Sequence, residues 1–156
     1  MHDDKTLIES LGKLQPGNIP LDIFNAIAKL TVMPVVEIVI KNNRNQIFLL
    51  QRPSDDKFWP NQYHLPGKII TPNDKNIEIA DIVKNVFIKL GFSENQFTPI
   101  FVASKLCTVK RGAEIALIYK IEVTDENVSN GLFYDSDNLP ADMITGHHDF
   151  IKLALL

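Results

Sequence analysis

The stretch from residue 47 to residue 92 decides the fold of this chain. It contains four pieces in order: an apolar run that ends in arginine, an aromatic-proline segment, a Pro-Gly turn and a glycine followed by an aromatic residue. The pieces are Ile47-Phe48-Leu49-Leu50-Gln51-Arg52, Phe58-Trp59-Pro60, His64-Leu65-Pro66-Gly67-Lys68 and Leu90-Gly91-Phe92. The apolar run predicts a strand. Gly91 predicts the end of a helix, because glycine readily adopts the left-handed conformation common at helix C-termini.

This order of pieces resembles the Nudix hydrolase family, and the resemblance extends from Val35 to Leu156. In that family a helix carries the pattern Arg-Glu-x-x-Glu-Glu, whose carboxylates gather Mg²⁺ or Mn²⁺ around two phosphates, since hard cations prefer carboxylate oxygens. The resemblance implies an α/β fold, namely a Nudix-type α/β/α sandwich with a mixed β-sheet. It also implies hydrolysis of a diphosphate bond as the activity of a typical member.

The carboxylates of that pattern are replaced in this chain. Counted back from Gly91, the family pattern falls on residues 84–89, and Asn85, Ile88 and Lys89 stand at its three glutamate positions. Lys89 places an ammonium group where the charge of a metal ion should lie, which is unfavourable for Mg²⁺. The segment from Gly67 to Gly91 is also three residues longer than the family spacing. We therefore expect no cofactor and little or no metal-dependent hydrolysis.

Three other acids offer a relocated metal site. Asp74 lies in the lengthened segment, and Glu78 and Asp81 share one face of a helix expected from about residue 76 to residue 90. If they hold Mg²⁺ or Mn²⁺, the chain is a working hydrolase of a nucleoside diphosphate linked to another group. We favour the alternative that Glu78 and Asp81 stabilise the helix start, where negative charge interacts well with the macrodipole.

Two adjacent histidines, His147 and His148, offer a further catalytic alternative beside Glu78 and Asp81. A GDP-mannose-hydrolysing branch of the Nudix family has an altered motif and uses a histidine as base, and either histidine could take that part. That branch still needs a metal to stabilise the departing diphosphate. Adjacent residues on a helix point ~100° apart and do not easily reach one ion together. We therefore favour ordinary packing at the start of a last helix, expected over residues 147–156.

The groups that remain without a metal favour binding of a phosphorylated ligand. Arginine offers forked donors to phosphate, lysine a point charge, and an aromatic ring a face for a base or sugar. Trp59 and Tyr63 fit equally well as a hydrophobic plug that holds the Pro66-Gly67 turn. The ligand-binding candidates are Arg52, Trp59, Tyr63, His64, Gly67, Lys68, Lys84, Asn85 and Lys89.

Composition limits the class of protein and its partners. The 156 residues, 45% of them hydrophobic, suffice for one well-buried domain. A net charge of -3, with no Lys/Arg cluster longer than a pair such as Lys110-Arg111, argues against a nucleic-acid partner. No apolar run approaches ~20 residues, so we expect no membrane partner and a cytoplasmic location. The expected partner is a small-molecule nucleotide-type ligand.

Apolar spacing predicts two helices before the main domain, over residues 6–14 and 21–30. We therefore divide the chain into an N-terminal helical hairpin, residues 1–33, and a Nudix-like domain, residues 34–156. The apolar stripe of the hairpin packs either on the domain's own sheet or on a second copy of the chain. The second arrangement leaves a homodimer open.

Two single residues stand out within predicted strands. Glu37 interrupts the apolar stretch Val35–Ile40 and faces either the ligand cleft or solvent on the alternate face of the strand. We favour solvent. Cys107, the single cysteine, fits a small half-buried strand residue better than a reactive thiol.

Overall fold

The computed structural model describes residues 4–124, 128 and 130–156, which form four α-helices and seven β-strands. The helices are α1 (Asp4–Gly12), α2 (Leu21–Ala28), α3 (Ile79–Lys89) and α4 (Thr145–Leu155). The strands are β1 (Val32–Asn42), β2 (Gln46–Gln51), β3 (Tyr63–His64), β4 (Gly67–Ile69), β5 (Ile100–Val109), β6 (Gly112–Val123) and β7 (Leu132–Asp135). The first three residues of the predicted N-terminal hairpin, Met1, His2 and Asp3, lie outside the described residues.

The strands form one mixed sheet with β1 near its centre. β1 pairs in parallel with β6 and antiparallel with β2 and β4. β5 pairs antiparallel with β6 at one side of the sheet, while β3 and β7 pair with β2 at the other. The predicted α/β class with a mixed sheet is confirmed.

Two apolar cores lie on opposite faces of the sheet, because successive side chains of a strand point to opposite sides. The core beneath α3 contains Val36, Ile38, Ile40, Ile82, Val83 and Phe87. The core beneath α4 contains Val39, Ile47, Leu49, Ile118, Phe150 and Ile151. Each large side chain that is fully buried contributes about 1.5–3 kcal/mol of transfer free energy. The two cores therefore hold α3 and α4 against the sheet and produce the predicted sandwich.

The helix boundaries follow local backbone signals. α3 begins at Ile79, later than the predicted start near residue 76, because Glu78 has an extended backbone with φ -73° and ψ 154°. Gly91 has φ +99°, so the predicted left-handed glycine after this helix is confirmed. α1, α2 and α4 begin and end within two residues of their predicted bounds. No helix in the described part of the chain is long and apolar enough to cross a membrane.

The N-terminal hairpin contacts the rest of the chain through α2 and through the turn before it, where Asn73 donates a hydrogen bond to the Pro16 carbonyl oxygen at 2.9 Å. Ala28 is fully buried, and Asp22 forms an exposed ion pair with Lys57 at 2.9 Å. α1 buries none of its residues, and its exposed apolar side chains are Leu7, Ile8 and Leu11. Of the two packing alternatives, the domain's own surface therefore receives α2, and the apolar side of α1 stays uncovered within one chain.

Gly112 determines how closely α2 approaches β6. It has φ +150°, and a Cβ at this position would lie 2.1 Å from the Ala28 carbonyl oxygen. We predict that Gly112→Ala lowers the free energy of unfolding by about 2–4 kcal/mol, because it combines backbone strain with steric overlap. Urea unfolding measures the change. Gly12→Ala is the control, since its added Cβ would meet no atom within 4 Å. An equal loss in both variants would contradict this account.

Candidate functional site

Two adjoining cavities open on the α4 side of the sheet. The larger has a volume of about 460 Å³ and the smaller about 310 Å³. Both are lined by Glu37, Arg52 and Arg111, which therefore form a wall that the cavities share. Other residues of the larger cavity include Trp59, Cys107, Glu114, Ile144, His147 and Phe150. Other residues of the smaller cavity include His64, Leu65, Gly67 and Lys68.

Glu37 is buried in this wall, with 8% of its surface exposed. The preference for solvent was wrong, because α3 and α4 cover both faces of β1. Burial, and then the nearby charge of Glu114, raise the pKa of Glu37 well above its ordinary value, although Arg111 and Arg52 partly oppose the shift. The carboxyl group therefore favours its neutral form.

The two oxygens of the Glu37 carboxyl group have different surroundings. Oε1 lies 3.8 Å from Nε2 of His147. Oε2 is buried and makes no hydrogen bond with any described residue. Gly67 lies beside Oε2, since a Cβ built there would come within 2.7 Å of that oxygen. Glycine at this position therefore leaves room for the Glu37 carboxyl group.

Two arginines contact the ring of Trp59. The guanidinium carbon of Arg52 lies 5.8 Å from the ring centroid and that of Arg111 lies 5.3 Å away, both within cation–π range. Arg111 is held by an ion pair with Glu114, and Arg52 by a longer one with Asp56 at 3.6 Å. The Nε of Arg52 is buried without a hydrogen-bond partner in the described part of the chain. Arg52 therefore carries an unsatisfied donor at the wall that the two cavities share.

The loop after β2 positions Trp59. The carboxylate of Asp56 accepts hydrogen bonds from the backbone N–H groups of Phe58 and Trp59, at 3.0 and 2.9 Å. Lys110, in the turn between β5 and β6, donates a hydrogen bond to the Phe58 carbonyl oxygen at 2.7 Å. The aromatic loop and the turn that carries Arg111 are thereby tied together, which fixes one end of the larger cavity.

His147 is held as a neutral imidazole with a defined tautomer. Its Nδ1 accepts a hydrogen bond from the Leu65 backbone N–H at 2.9 Å, so its proton lies on Nε2. Burial, together with the charges of His64 and Arg52, lowers the pKa of His147 to about 3. His148 lines a separate surface groove beside the end of α4. The two candidate histidines therefore do not act at one place.

His64 is also neutral near pH 7. Burial and the positive charge of Arg52 lower its pKa to about 4. Its Nδ1 lies 2.7 Å from the Leu65 carbonyl oxygen, an acceptor, so Nδ1 carries the proton. The positive charge of the cavities therefore comes from arginine and lysine rather than from histidine.

The candidate residues of α3 lie outside both cavities. Lys84 forms an ion pair with Glu94, and Asn85 and Lys89 are exposed. Ile88, at another of the replaced glutamate positions, is 40% exposed. Of the nine predicted ligand-binding residues, five line the cavities, and they are Arg52, Trp59, His64, Gly67 and Lys68.

The side chain of Tyr63 belongs to the core rather than to the cavity lining. Its ring contacts that of Tyr134 edge to face at 5.3 Å, and it packs against the core beneath α4. Trp59, in contrast, lines the larger cavity. The plug interpretation thus describes Tyr63. Trp59 is only 7% exposed, which fits the plug interpretation, and it also lines the larger cavity, which fits a ligand contact.

The three acids of the relocated site do not converge. Asp74 accepts hydrogen bonds from the backbone N–H and hydroxyl of Thr71, at 2.9 and 3.1 Å, and pairs with Lys68. Burial tends to raise the pKa of Asp74, but the hydrogen bonds from Lys68 and Thr71 hold it below its ordinary value. Glu78 and Asp81 are exposed at the start of α3. Within the described ranges, no three His, Cys, Asp or Glu side chains are grouped to hold a metal ion.

Sequence reasoning missed Arg111 and Glu114. The signal present in the sequence was an acid within an apolar stretch of each of two strands, Glu37 in β1 and Glu114 in β6, which also carries Glu122 near its end. Parallel pairing of these strands brings the acids to one face of the sheet. Cys107 also lines the larger cavity, and burial raises the pKa of its thiol, which disfavours the reactive thiolate.

The neutral state of His147 predicts a pH-dependent effect on stability. The folded chain resists protonation down to about pH 3, whereas an unfolded histidine gains a proton below about pH 6.5. Stability is therefore lost as the pH falls through the pKa of the unfolded histidine.

The variant His147→Asn tests this prediction, because asparagine keeps an acceptor for the Leu65 N–H but does not titrate. When the pH is lowered from 7 to 5, the free energy of unfolding of the native chain should fall by about 2 kcal/mol more than that of the variant. A relative stability that is equal at both pH values, measured by urea unfolding, would contradict this assignment.

Comparison with solved structures shows the fold. The NUDIX domain of Shewanella oneidensis NrtR, solved with ADP ribose, is similar with a TM-score of 0.65 and 13% identity, covering 95% of this chain and 96% of that one. A MutT protein from Methanosarcina mazei is similar with a TM-score of 0.59 and 14% identity, covering 78% of this chain and 91% of that one. No protein-family model matches the chain, and no curated protein sequence matches it.

A longer NrtR chain from Shewanella oneidensis, solved with a 27mer DNA, is also similar. Its TM-score is 0.60 at 14% identity, and the match covers 77% of this chain but 59% of that one. The DNA is a partner of that longer protein. At these identities the likeness in each case is one of fold.

Proposed function

Starting from the Nudix fold of this chain, we propose that it binds a nucleotide or a nucleoside-diphosphate-linked metabolite, with little or no metal-dependent hydrolysis. The observation that carries this proposal is the wall shared by the two cavities, where Arg52 and Arg111 lie together. Guanidinium groups bind phosphate oxygens through paired donors. The side chain of Arg52 is 31% exposed and lines both cavities, so its guanidinium group can reach a phosphate there.

The size and lining of the cavities support a ligand with both apolar and anionic parts. The larger cavity, of about 460 Å³, lies within the usual range for small-molecule sites, about 300–1,000 Å³. Trp59 and Phe150 provide aromatic surface for a base or sugar. Lys68 adds a positive charge to the smaller cavity. The ADP ribose bound by the NrtR domain is a ligand of this kind on a similar fold.

The surface of α3 supports weak or absent metal-dependent cleavage. Asn85, Ile88 and Lys89 provide no carboxylate at the positions that hold the metal in the Nudix pattern. The ammonium group of Lys89 repels a divalent cation. Binding at the cavities does not need these positions, because α3 and α4 cover opposite faces of the sheet.

The alternative with a histidine base has no support in the geometry of His147. One ring nitrogen accepts a hydrogen bond from Leu65, and the other carries the proton. The ring therefore has no free lone pair with which to take a proton. The alternative with relocated acids has no support either, since Asp74, Glu78 and Asp81 are not gathered around one point.

Loss of the Arg52 guanidinium should weaken ligand binding. We predict that Arg52→Met reduces affinity for ADP-ribose or GDP about 10- to 100-fold, because it removes a hydrogen bond to a charged group. Isothermal titration calorimetry in the presence of EDTA measures the change. Arg44→Met is the matched control, because Arg44 is exposed and lies in the β1–β2 turn outside both cavities. Equal affinities for the Arg52 and Arg44 variants would contradict the proposed site.

Restoring the missing carboxylates tests the proposed loss of hydrolysis. We expect the triple variant Asn85→Glu, Ile88→Glu and Lys89→Glu to fold, since its three positions are exposed on α3. Mg²⁺-dependent cleavage of ADP-ribose, followed by chromatography, should appear in this variant and be absent from the native chain. The variant with Gln at the same three positions controls for surface polarity without adding carboxylates. Cleavage by the Gln variant would show that the carboxylates are not the missing component.

A further inference from the structure

We propose that Glu37 is a specificity-determining residue of this site: as a neutral carboxylic acid, it donates a hydrogen bond from Oε2 to an anionic oxygen of the ligand that Arg52 holds. The inference rests on the proposed function. It assigns the recognition of an acceptor oxygen, such as a phosphate oxygen, to an uncharged acid.

The surroundings of the two oxygens define where the proton lies. Oε1 is nearest to Nε2 of His147, at 3.8 Å, and that nitrogen carries a proton because Nδ1 accepts from Leu65. Oε1 therefore faces a donor and keeps its lone pairs. Oε2 is buried and has no acceptor or donor among the described residues. It lies beside Gly67, which lines the smaller cavity and carries no side chain, so a ligand oxygen that enters beside Gly67 is the partner that a proton on Oε2 lacks.

The electrostatic surroundings of Glu37 favour the neutral acid. The titratable or charged groups that line the same two cavities come from every neighbouring part of the sheet and from α4, and they are Arg52, His64, Lys68, Cys107, Lys110, Arg111, Glu114 and His147. Arg111 is paired with Glu114, Lys68 with Asp74, and Arg52 with Asp56, while Lys110 donates a hydrogen bond to the Phe58 carbonyl oxygen. No cation in this set is therefore reserved for Glu37, and burial with the charge of Glu114 raises its pKa.

An anionic ligand strengthens this preference. A phosphate group at Arg52 would repel a carboxylate at Glu37, whereas it would accept a hydrogen bond from the neutral acid. Negative charge near Glu37 also raises its pKa further. Ligand binding is therefore coupled to retention or uptake of a proton. A ligand that presents an N–H or O–H donor at this point would instead bind the carboxylate and release a proton.

Two substitutions distinguish the role of Glu37 as a hydrogen-bond donor from its role as a titrating acid. Glu37→Gln keeps the shape of the side chain and supplies an N–H donor that does not titrate. Glu37→Met keeps a similar length but supplies no donor. Both variants remove a buried carboxyl group that lacks a full set of partners, so both should fold and be at least as stable as the native chain.

The experiment is calorimetric titration with ADP-ribose in buffers of different ionisation enthalpy, which counts protons exchanged on binding. Both phosphates of ADP-ribose are esterified and do not titrate near neutral pH. His64 and His147, with pKa values of about 4 and about 3, do not titrate there either. Any proton uptake above about pH 6 is therefore assigned to a group such as Glu37, and the variants identify it.

We expect Glu37→Gln to bind within about threefold of the native chain and Glu37→Met to bind about 10- to 100-fold more weakly. Native binding should take up protons over the pH range in which its affinity falls as the pH rises, and the Gln variant should lose both the uptake and the pH dependence. Equal binding by the Met variant, or proton release by the native chain, would overturn the role of Glu37 while leaving the proposed function in place. Failure of the native chain to bind ADP-ribose or GDP at any pH would overturn both.

Discussion

Coverage of β1 on both faces is the constraint on which the site depends. α3 covers one face and α4 the other, so an acid on this strand is removed from water. A buried carboxyl group must be paired or neutral, because the isolated charge is strongly disfavoured in a medium of low polarity. Burial raises the pKa of Glu37 well above its ordinary value and places an unsatisfied polar atom at the wall of a cavity. The chemistry of the site follows from that position.

The same layered arrangement separates the cavities from the positions that correspond to the metal-binding pattern of Nudix hydrolases. The larger cavity opens beside α4, and Asn85, Ile88 and Lys89 lie on the exposed surface of α3. Changes on α3 can therefore remove metal-binding groups without altering Arg52, Trp59 or the N-terminus of α4. A chain with this fold can keep a ligand site after the carboxylates needed for hydrolysis are absent, which is the basis of the proposed function.

The elements of the fold were predictable because their signals are local. The apolar stretches 35–40 and 47–50 indicated the strands β1 and β2, and Gly91 marked the end of α3. The position of Glu37 was not predictable in this way, since alternation along a strand does not show which face a distant helix will cover. The pairing of Arg111 with Glu114 and their approach to Trp59 also depend on tertiary contacts. Lys84 and Lys89 were expected near the ligand because of their positive charge, but both lie on α3 outside the two cavities. The charge of a residue does not indicate the direction in which its side chain points.

The most direct test of the account is product analysis on the native chain with bound ligand. A panel of nucleoside diphosphate compounds is incubated with Mg²⁺, Mn²⁺ or a chelator, and both the bound fraction and the products are measured by chromatography. The account predicts that at least one compound binds and is recovered intact under every metal condition. Metal-dependent turnover by the native chain would contradict the central claim.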